Sequence, residues 1–453
     1  MTPARSSLLK RIRSSSVWRW FTPGIGVKRW LGLLLAGITL IGLGVAYVVV
    51  DIYRNTPLPD AFYYITLQFI PRVLRAILLG GFGIAAIAIA LIRINRSILA
   101  PFIRPGHKPM AEIIYQHHQR ERGLKVVAIG GGTGLSTFLR GIKTHTSNIT
   151  AIITVADDGG SSGRLRREMG VPPPGDFRNC LVALSDDESL TAQLFQYRFA
   201  QGDGLDGHAF GNLFITAMAD VSGSFERGLI ESSHVLAITG RILPSTLNDV
   251  TISAEIKTDH GLMHVAGESA ITHANGMIER VILKPADARA YPETIRAILE
   301  ADLIVLGPGS LYTSVLPNLL INSLPDAIRA SKALTLYVCN VASQHGETDR
   351  YSVFDHAKAI EKYIGPNVID AIIANSRLNI EWKNPPGGVG EMIPPESASN
   401  IPIISADVVN EQWPWRHDSQ KLARAVIDAY NTWRVPENRS ALSRQTTPIE
   451  VPR

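Results

Sequence analysis

The stretch LKVVAIGGGTGLSTFLRGI, residues 124–142, is an apolar run, a glycine-rich turn and the start of an amphipathic helix. Val126–Ile129 is too short for a helix and β-branched enough for a buried strand. Gly130, Gly131, Gly132 and Gly134 let the backbone pass close to a ligand, and Thr133 and Ser136 add hydroxyls. The amides of the helix start then face an anion, and the helix dipole adds to the attraction. The pattern reads as a phosphate or diphosphate cradle. It is not a Walker A loop, because no Gly-Lys-Ser/Thr follows, and its glycine spacing is not G-x-G-x-x-G.

Working outward, the strand-then-turn pattern recurs. ITAIITV (149–155) runs into ADDGG, ADLIVL (301–306) into GPGSLYTS, and ALTLYVC (333–339) into NVASQ; DAIIAN (370–375) reads as a fifth strand. Helical patterns lie between them: ESLTAQLFQYRF, AFGNLFITAMA, ETIRAILE, LLINSLPDAIRAS and HAKAIEKYIG. Alternating strands and helices predict an α/β domain over residues 124–433, doubly wound on a mostly parallel sheet. Period-two runs around Asp259-His260-Gly261 predict a β-hairpin insert. The polar segment 434–453 reads as a disordered tail.

Ahead of this domain the chain changes character. Leu31–Val50 is a run of 20 uncharged residues and Ala76–Ile92 a run of 17. Basic residues flank both, so residues 31–92 read as two transmembrane helices forming an uncleaved anchor. Lys and Arg number seven in residues 1–30, three in 51–75 and seven in 93–125. The positive-inside rule then places both ends in the cytoplasm, giving a two-pass protein of the cytoplasmic membrane whose main domain is cytoplasmic. Residues 1–30 form a basic N-terminus, and residues 93–123 a juxtamembrane linker whose Arg93, Arg96, Arg104 and Lys108 can meet lipid headgroups.

The net charge of +5 divides accordingly. Residues 1–125 hold 17 Lys+Arg against 4 Asp+Glu, or +13; the remaining 28 against 36 give −8. An acidic body excludes nucleic acid as its partner. Two cysteines, Cys180 and Cys339, exclude a disulfide scaffold.

Several turns carry candidate ligand groups. Asp157 and Asp158 end the second strand, where an acid meets a ribose or, paired, suits Mg²⁺ against phosphates. Ser161, Ser162 and Arg164 follow as donors, with Arg166 and Arg167 as further cations. Pro172–Pro174 stiffen the approach to Asp176, Arg178 and Asn179. His208 and Asn212 share a helix face. Gly307, Gly309, Ser310 and Thr313 offer a second set of phosphate or sugar contacts. Asn340, with Gln344, Gly346, Glu347 and Thr348, ends the fourth strand. Turns on one sheet edge converge on one cleft.

The ordered motifs GGGTGLS, ADDGGSSGRLR, PPGDFRNCL, HAFGN, GPGSLYTSVLPNLL and YVCNV…GETD resemble the gluconeogenesis factor family, the YvcK-like proteins. That family shares a superfamily with the CofD-like 2-phospho-L-lactate transferases. The resemblance covers about residues 124–433. His345 stands where the family usually has proline, and Ala342-Ser343 where it has Met-Thr; the anchor is a further departure. The resemblance implies a Rossmann-like fold and binding of UDP-sugars such as UDP-N-acetylglucosamine. It also implies a role in cell shape and cell-wall synthesis on gluconeogenic carbon sources, with cell-wall synthesis proteins as partners. The transferase relatives imply the alternative: a Mg²⁺-dependent transferase acting on a nucleotide-diphosphate-linked substrate, with Asp157 and Asp158 on the metal. No hydride-transfer constellation supports a dehydrogenase. The sequence leaves the oligomeric state open, a homo-oligomer included.

Overall fold

The computed structural model describes residues 27–55, 64, 67, 69–99, 120, 123–185, 190–274, 276–380, 382, 385–395, 401–434 and 449–450. The chain divides into two units, residues 1–119 and 120–453.

In the first unit the two apolar runs lie within helices α1 (Val27–Asn55) and α2 (Arg72–Leu99). Leu40, Ile41, Ile77 and Phe82 expose their side chains. Among the described residues, no helix is long and apolar enough to cross a membrane. The two predicted spans are therefore present as helices without being established as membrane segments. The basic N-terminus up to residue 26, and residues 100–119 of the expected linker, lie outside the described residues.

The second unit is built on one parallel sheet. Its strands are β1 (Val126–Gly130), β2 (Ile149–Ile153), β3 (Arg241–Pro244), β7 (Leu303–Leu306), β8 (Leu334–Val338), β10 (Ala371–Asn375), β12 (Ile403–Ala406) and the two-residue β13 (Ile449–Glu450). They lie in the order β13-β12-β10-β8-β7-β1-β2-β3, and every pair is parallel. β1, β2, β7, β8 and β10 are buried at every position, as strands covered on both faces must be. Their Val, Ile and Leu side chains make up the core.

The five strands expected from the sequence are all here. β3 and β12 escaped notice because each has four residues hemmed in by Gly or Pro, leaving almost no periodicity to read. The chain leaves β1 in both directions: β2 and β3 build one flank, and β7, β8, β10, β12 and β13 the other. The sheet therefore reverses between β1 and β7, and that switch point is where an open α/β sheet binds ligands.

The insert is larger than a hairpin. β4 (Thr251–Thr258) pairs antiparallel with β5 (Gly261–Ala266) across the Asp259-His260 turn. β6 (Met277–Lys284) then adds to the other edge of β4, giving a three-stranded sheet. Polar and charged residues interrupt β6, which hid it. Between β5 and β6 the chain forms the short helix α9 (Glu268–Thr272). The expected disordered tail falls outside the described residues except for Arg434 and for Ile449–Glu450, which pair with β12.

Candidate functional site

The glycine turn leads straight into a helix. Gly131 is extended, Gly132 takes φ +65°, and helix α3 (Gly132–Ile142) begins immediately. The first amides of a helix have no intrahelical acceptor. Gly132 N–H is already used: it donates to Asp176 Oδ2 at 2.7 Å. Thr133 and Gly134, next in line, border a cleft of about 650 Å³. A Cβ on Gly134 would lie 2.7 Å from Pro308 O and 2.9 Å from Gly309 N, so the turns after β1 and β7 meet backbone to backbone.

The cleft lies at the switch point. One wall is Gly132, Thr133 and Gly134; another is Gly309, Ser310, Thr313 and Ser314 after β7. Asn340, Gln344 and Glu347 follow β8, and Glu268 and Thr272 come from α9. Trp415, Arg416 and His417 enter from the loop after β12. Arg416 is the one arginine or lysine on this wall among the described residues.

The turn after β7 continues as a π-helix, Leu311–Val315, a geometry that concentrates at functional sites. Its frame is the buried Glu347 carboxylate, which accepts from Thr313 Oγ1 at 3.1 Å and from Tyr312 N at 3.4 Å. Burial raises the Glu347 carboxyl to about 7, and those two hydrogen bonds only partly oppose it. Beside it, Gln344 Nε2 donates to Ser310 Oγ at 2.9 Å, and Asn340 Nδ2 donates to Gln344 Oε1 at 3.4 Å.

The other predicted residues go elsewhere. Ser161 and Ser162 open helix α4 (Gly160–Met169), Asp176, Arg178 and Asn179 lie on α5 (Gly175–Leu184), and Asn212 is on α7 (Phe210–Ser222), with α6 (Leu190–Gln196) between. Ser161 Oγ pairs with His208 Nδ1 at 3.0 Å and accepts from Asn212 Nδ2 at 3.0 Å. Arg178 donates to Asn212 Oδ1 at 3.1 Å and to Asn179 Oδ1 at 3.0 Å, and its buried Nε finds no partner among the described residues. Ser162 Oγ accepts from Gly175 N. These groups form a buried polar lattice and do not line the cleft.

Ser136 is turned away too, donating to Thr133 O within its own helix. Arg164 donates to Asp206 O, and Arg166 binds Asp249 and Val250 O, so both cations tie loops together. Gly130, Gly131 and Gly307 shape the turns without lining the cleft. The buried Cys180 and Cys339 pack in the core.

Asp157 and Asp158 do not face one ligand as a pair. Asp157 Oδ1 accepts from Gly159 N at 2.8 Å, whereas Asp158 Oδ1 accepts from Ser269 N at 3.0 Å, at the start of α9. Burial raises Asp157 from its ordinary range, and Asp158 adds to the rise. Burial also raises Asp176 to about 6 against the Gly132 hydrogen bond. Glu268 rises well above its usual range through burial and the nearby Asp157, Asp176, Glu347 and Asp158. Carboxylates thus crowd around Glu268, and of these Glu268 and Glu347 line the cleft. Among the described residues, no three His, Cys, Asp or Glu side chains converge in a metal-holding group. A divalent cation here would need ligand phosphates to complete its shell, as Mg²⁺ commonly does.

Glu268, Thr272, His273, Trp415, Arg416 and His417 line the cleft and were not singled out in the sequence. The Gly267-Glu268 step following β5 was the available signal for the first of these. The polar loop after the strand IPIISA was the signal for the last three.

Comparison with known proteins fits this geometry. The sequence model of the family described as 2-phospho-L-lactate transferase CofD matches residues 126–384. A gluconeogenesis factor of Halalkalibacterium halodurans is 51% identical over 310 residues, covering 67% of this chain and 95% of the relative. A gluconeogenesis-factor relative from Nostoc sp. is 42% identical over 434 residues, 92% of this chain and 93% of its own. An X-ray structure of a Bacillus halodurans protein superposes with a TM-score of 0.63 at 45% identity, covering 67% of this chain and 99% of that one. The chain belongs to the gluconeogenesis factor family and carries a CofD-like α/β domain.

Proposed function

We propose that this protein is a membrane-tethered factor that binds a UDP-sugar resembling UDP-N-acetylglucosamine and serves cell-wall morphogenesis during gluconeogenic growth. The observation that carries the reading is the first turn of α3 opening, at the sheet's switch point, into a cleft of about 650 Å³. That volume falls within the range of small-molecule sites. In this reading the diphosphate lies on the amides of Thr133 and Gly134 with Arg416 facing it, and the sugar lies toward Ser310 and Asn340. The uncharged runs within α1 and α2 and their exposed apolar side chains support the tether. Cell-wall synthesis proteins are the partners this role calls for.

Isothermal titration of the full-length protein with UDP-N-acetylglucosamine, with and without Mg²⁺, tests the binding. One saturable site per chain is expected; no heat with any UDP-sugar would sink the reading.

A second reading is a Mg²⁺-dependent transferase on a nucleotide-diphosphate-linked substrate. The CofD family match and the carboxylate crowd around Asp157, Asp158, Asp176 and Glu268 favour it. Those oxygens suit a hard cation, whose charge would offset their mutual repulsion. Mass spectrometry of the same incubations, searching for a cleaved nucleotide, decides between the two.

A further inference from the structure

The wall formed by the turns after β7 and β8 carries a directional relay of side chains. Asn340 Nδ2 donates to Gln344 Oε1, and Gln344 Nε2 donates to Ser310 Oγ. The Gln344 backbone is pinned, its N–H donating to Thr348 Oγ1 at 2.9 Å. The carboxylate of Glu347, buried beneath, fixes the π-helix that follows Ser310. An amide that accepts with its oxygen must donate with its nitrogen, so the orientation of Asn340 determines that of Gln344. Ser310 Oγ already accepts from Gln344, so its own proton is free to be donated into the cleft. At the other end, no donor among the described residues reaches Asn340 Oδ1, which leaves it an acceptor in the same wall. Ser310, Asn340 and Gln344 are half-buried and line the cleft, so a ligand reaches them.

We infer that Ser310 and Asn340, polarised by Gln344, form a subsite presenting one donor and one acceptor, which recognises a hydroxyl or amide group of the sugar rather than phosphate. A phosphate oxygen accepts only, and an acceptor such as Asn340 Oδ1 repels it. A sugar hydroxyl or an N-acetyl group both donates and accepts, and satisfies both ends. The location agrees: Gly309, next to Ser310, abuts Gly134 of the cradle, so the subsite begins where the diphosphate ends. In this assignment Gln344 is a positioning residue, acting on the ligand through Ser310. The inference rests on the UDP-sugar reading and extends it.

The test compares UDP with UDP-N-acetylglucosamine by isothermal titration of the full-length protein, reading the ratio of the two dissociation constants. Ser310→Ala removes the donor. Gln344→Glu keeps the shape but accepts only, so Ser310 must turn its proton back toward it. Each change is expected to cut the preference for the sugar nucleotide over UDP about tenfold, the worth of one lost hydrogen bond. Ser310→Thr, which keeps the hydroxyl, is expected to restore most of it. The added charge of Gln344→Glu weakens both ligands alike and leaves the ratio to report the subsite. An unchanged ratio in both variants, with UDP and the UDP-sugar still bound, overturns the subsite and spares the binding reading. Equal losses for both ligands in Ser310→Ala also overturn it, because the residue would then serve the phosphate or the fold. If the unaltered protein binds neither ligand, the subsite and the binding reading fall together.

Discussion

Substituting Gly134→Ala probes the junction on which the site depends. A Cβ there would lie 2.7 Å from Pro308 O, 2.8 Å from Pro308 C and 2.9 Å from Gly309 N, whereas ordinary contact begins at 3.4 Å. All three are backbone atoms, so no side chain can swing aside. The β7 turn must retreat from the first turn of α3 by roughly 0.5–0.7 Å, at a cost of about 1–3 kcal/mol. Alanine regains up to about 1 kcal/mol of helix propensity, so the net loss of stability is about 0–2 kcal/mol.

Affinity suffers more. A shift of half an ångström stretches a 2.9 Å hydrogen bond toward 3.4 Å, beyond good geometry. Losing one charge-assisted contact between a phosphate and the Thr133 or Gly134 amide costs about 1.5–3 kcal/mol, or roughly 10- to 150-fold in dissociation constant. Calorimetric titration with UDP-N-acetylglucosamine reads this, and thermal melting reads the stability. Gly387→Ala is the control: it lies on the same cleft, with nothing among the described residues within 4 Å of the added carbon. It should change affinity less than twofold. If Gly134→Ala binds as tightly as the unaltered protein, the phosphates do not lie between these two turns.

Other outcomes follow from particular residues. Asn212→Ala strips partners from the buried Arg178 and Ser161; a loss of about 2–4 kcal/mol in stability with unchanged affinity for the UDP-sugar is expected. The reverse pattern would make Asn212 a ligand contact. Glu347 is raised to about 7 by burial, so between pH 4.5 and 7 the folded state holds more protons than the unfolded one. Its contribution to stability therefore falls as the pH climbs through that window. Denaturant titrations should show the stability difference between the unaltered protein and Glu347→Gln shifting by on the order of 3 kcal/mol from pH 4 to pH 8, in favour of the variant at high pH. A flat difference would place Glu347 in a wetter setting. Arg416→Ala should weaken the UDP-sugar about tenfold and flatten the salt dependence of binding; an unchanged salt dependence would remove Arg416 from the phosphates. Deleting residues 1–92 should move the protein from the membrane to the soluble fraction on ultracentrifugation, and continued sedimentation with membranes would refute the tether.

How far the sequence carried the fold is clear from particular segments. Val126–Gly130 and its kin read correctly because a strand buried on both faces is uniformly apolar and ends on glycine. β3, β6 and β12 were too short or too polar to leave such a mark. In the site, the rule that turns at one sheet edge converge placed Gly132, Thr133, Gly134, Gly309, Ser310, Thr313 and Asn340 around one cleft. It could not place His208 and Asn212. Periodicity put His208 and Asn212 on one helix face, but the helix begins at Phe210 and His208 lies ahead of it; nothing local told that both meet Ser161, and Asn212 also Arg178, inside the protein. Glu268 was out of reach for another reason. It comes from the insert, more than a hundred residues beyond Asp158, and arrives because Gly267, at φ +98°, turns α9 against that carboxylate. A Cβ on Gly267 would fall 2.2 Å from Asp158 Oδ2, so glycine is required there twice over.

The distribution of cations changes what anion binding must mean in this molecule. Arg164, Arg166 and Arg178 read as phosphate clamps, yet each is committed to a carbonyl, a loop carboxylate or a side-chain amide. The anion-facing groups left on the cleft are backbone amides and Arg416, set against Glu268 and Glu347. An amide nest holds phosphate by geometry rather than net charge, so it tolerates acidic neighbours that a lysine-lined site would neutralise. The carboxylates then bear on selectivity. A ligand bringing an extra negative charge toward Glu268 adds to the repulsion that carboxyl already feels from Asp157, Asp176 and Glu347, unless a divalent cation accompanies it. A diphosphate masked by a neutral sugar brings less charge there than a nucleoside triphosphate, whose third phosphate would add to the repulsion. The UDP-sugar reading therefore predicts a preference for the masked diphosphate over a nucleoside triphosphate when no metal is present, narrowing as Mg²⁺ is added, which competition titrations with and without Mg²⁺ measure.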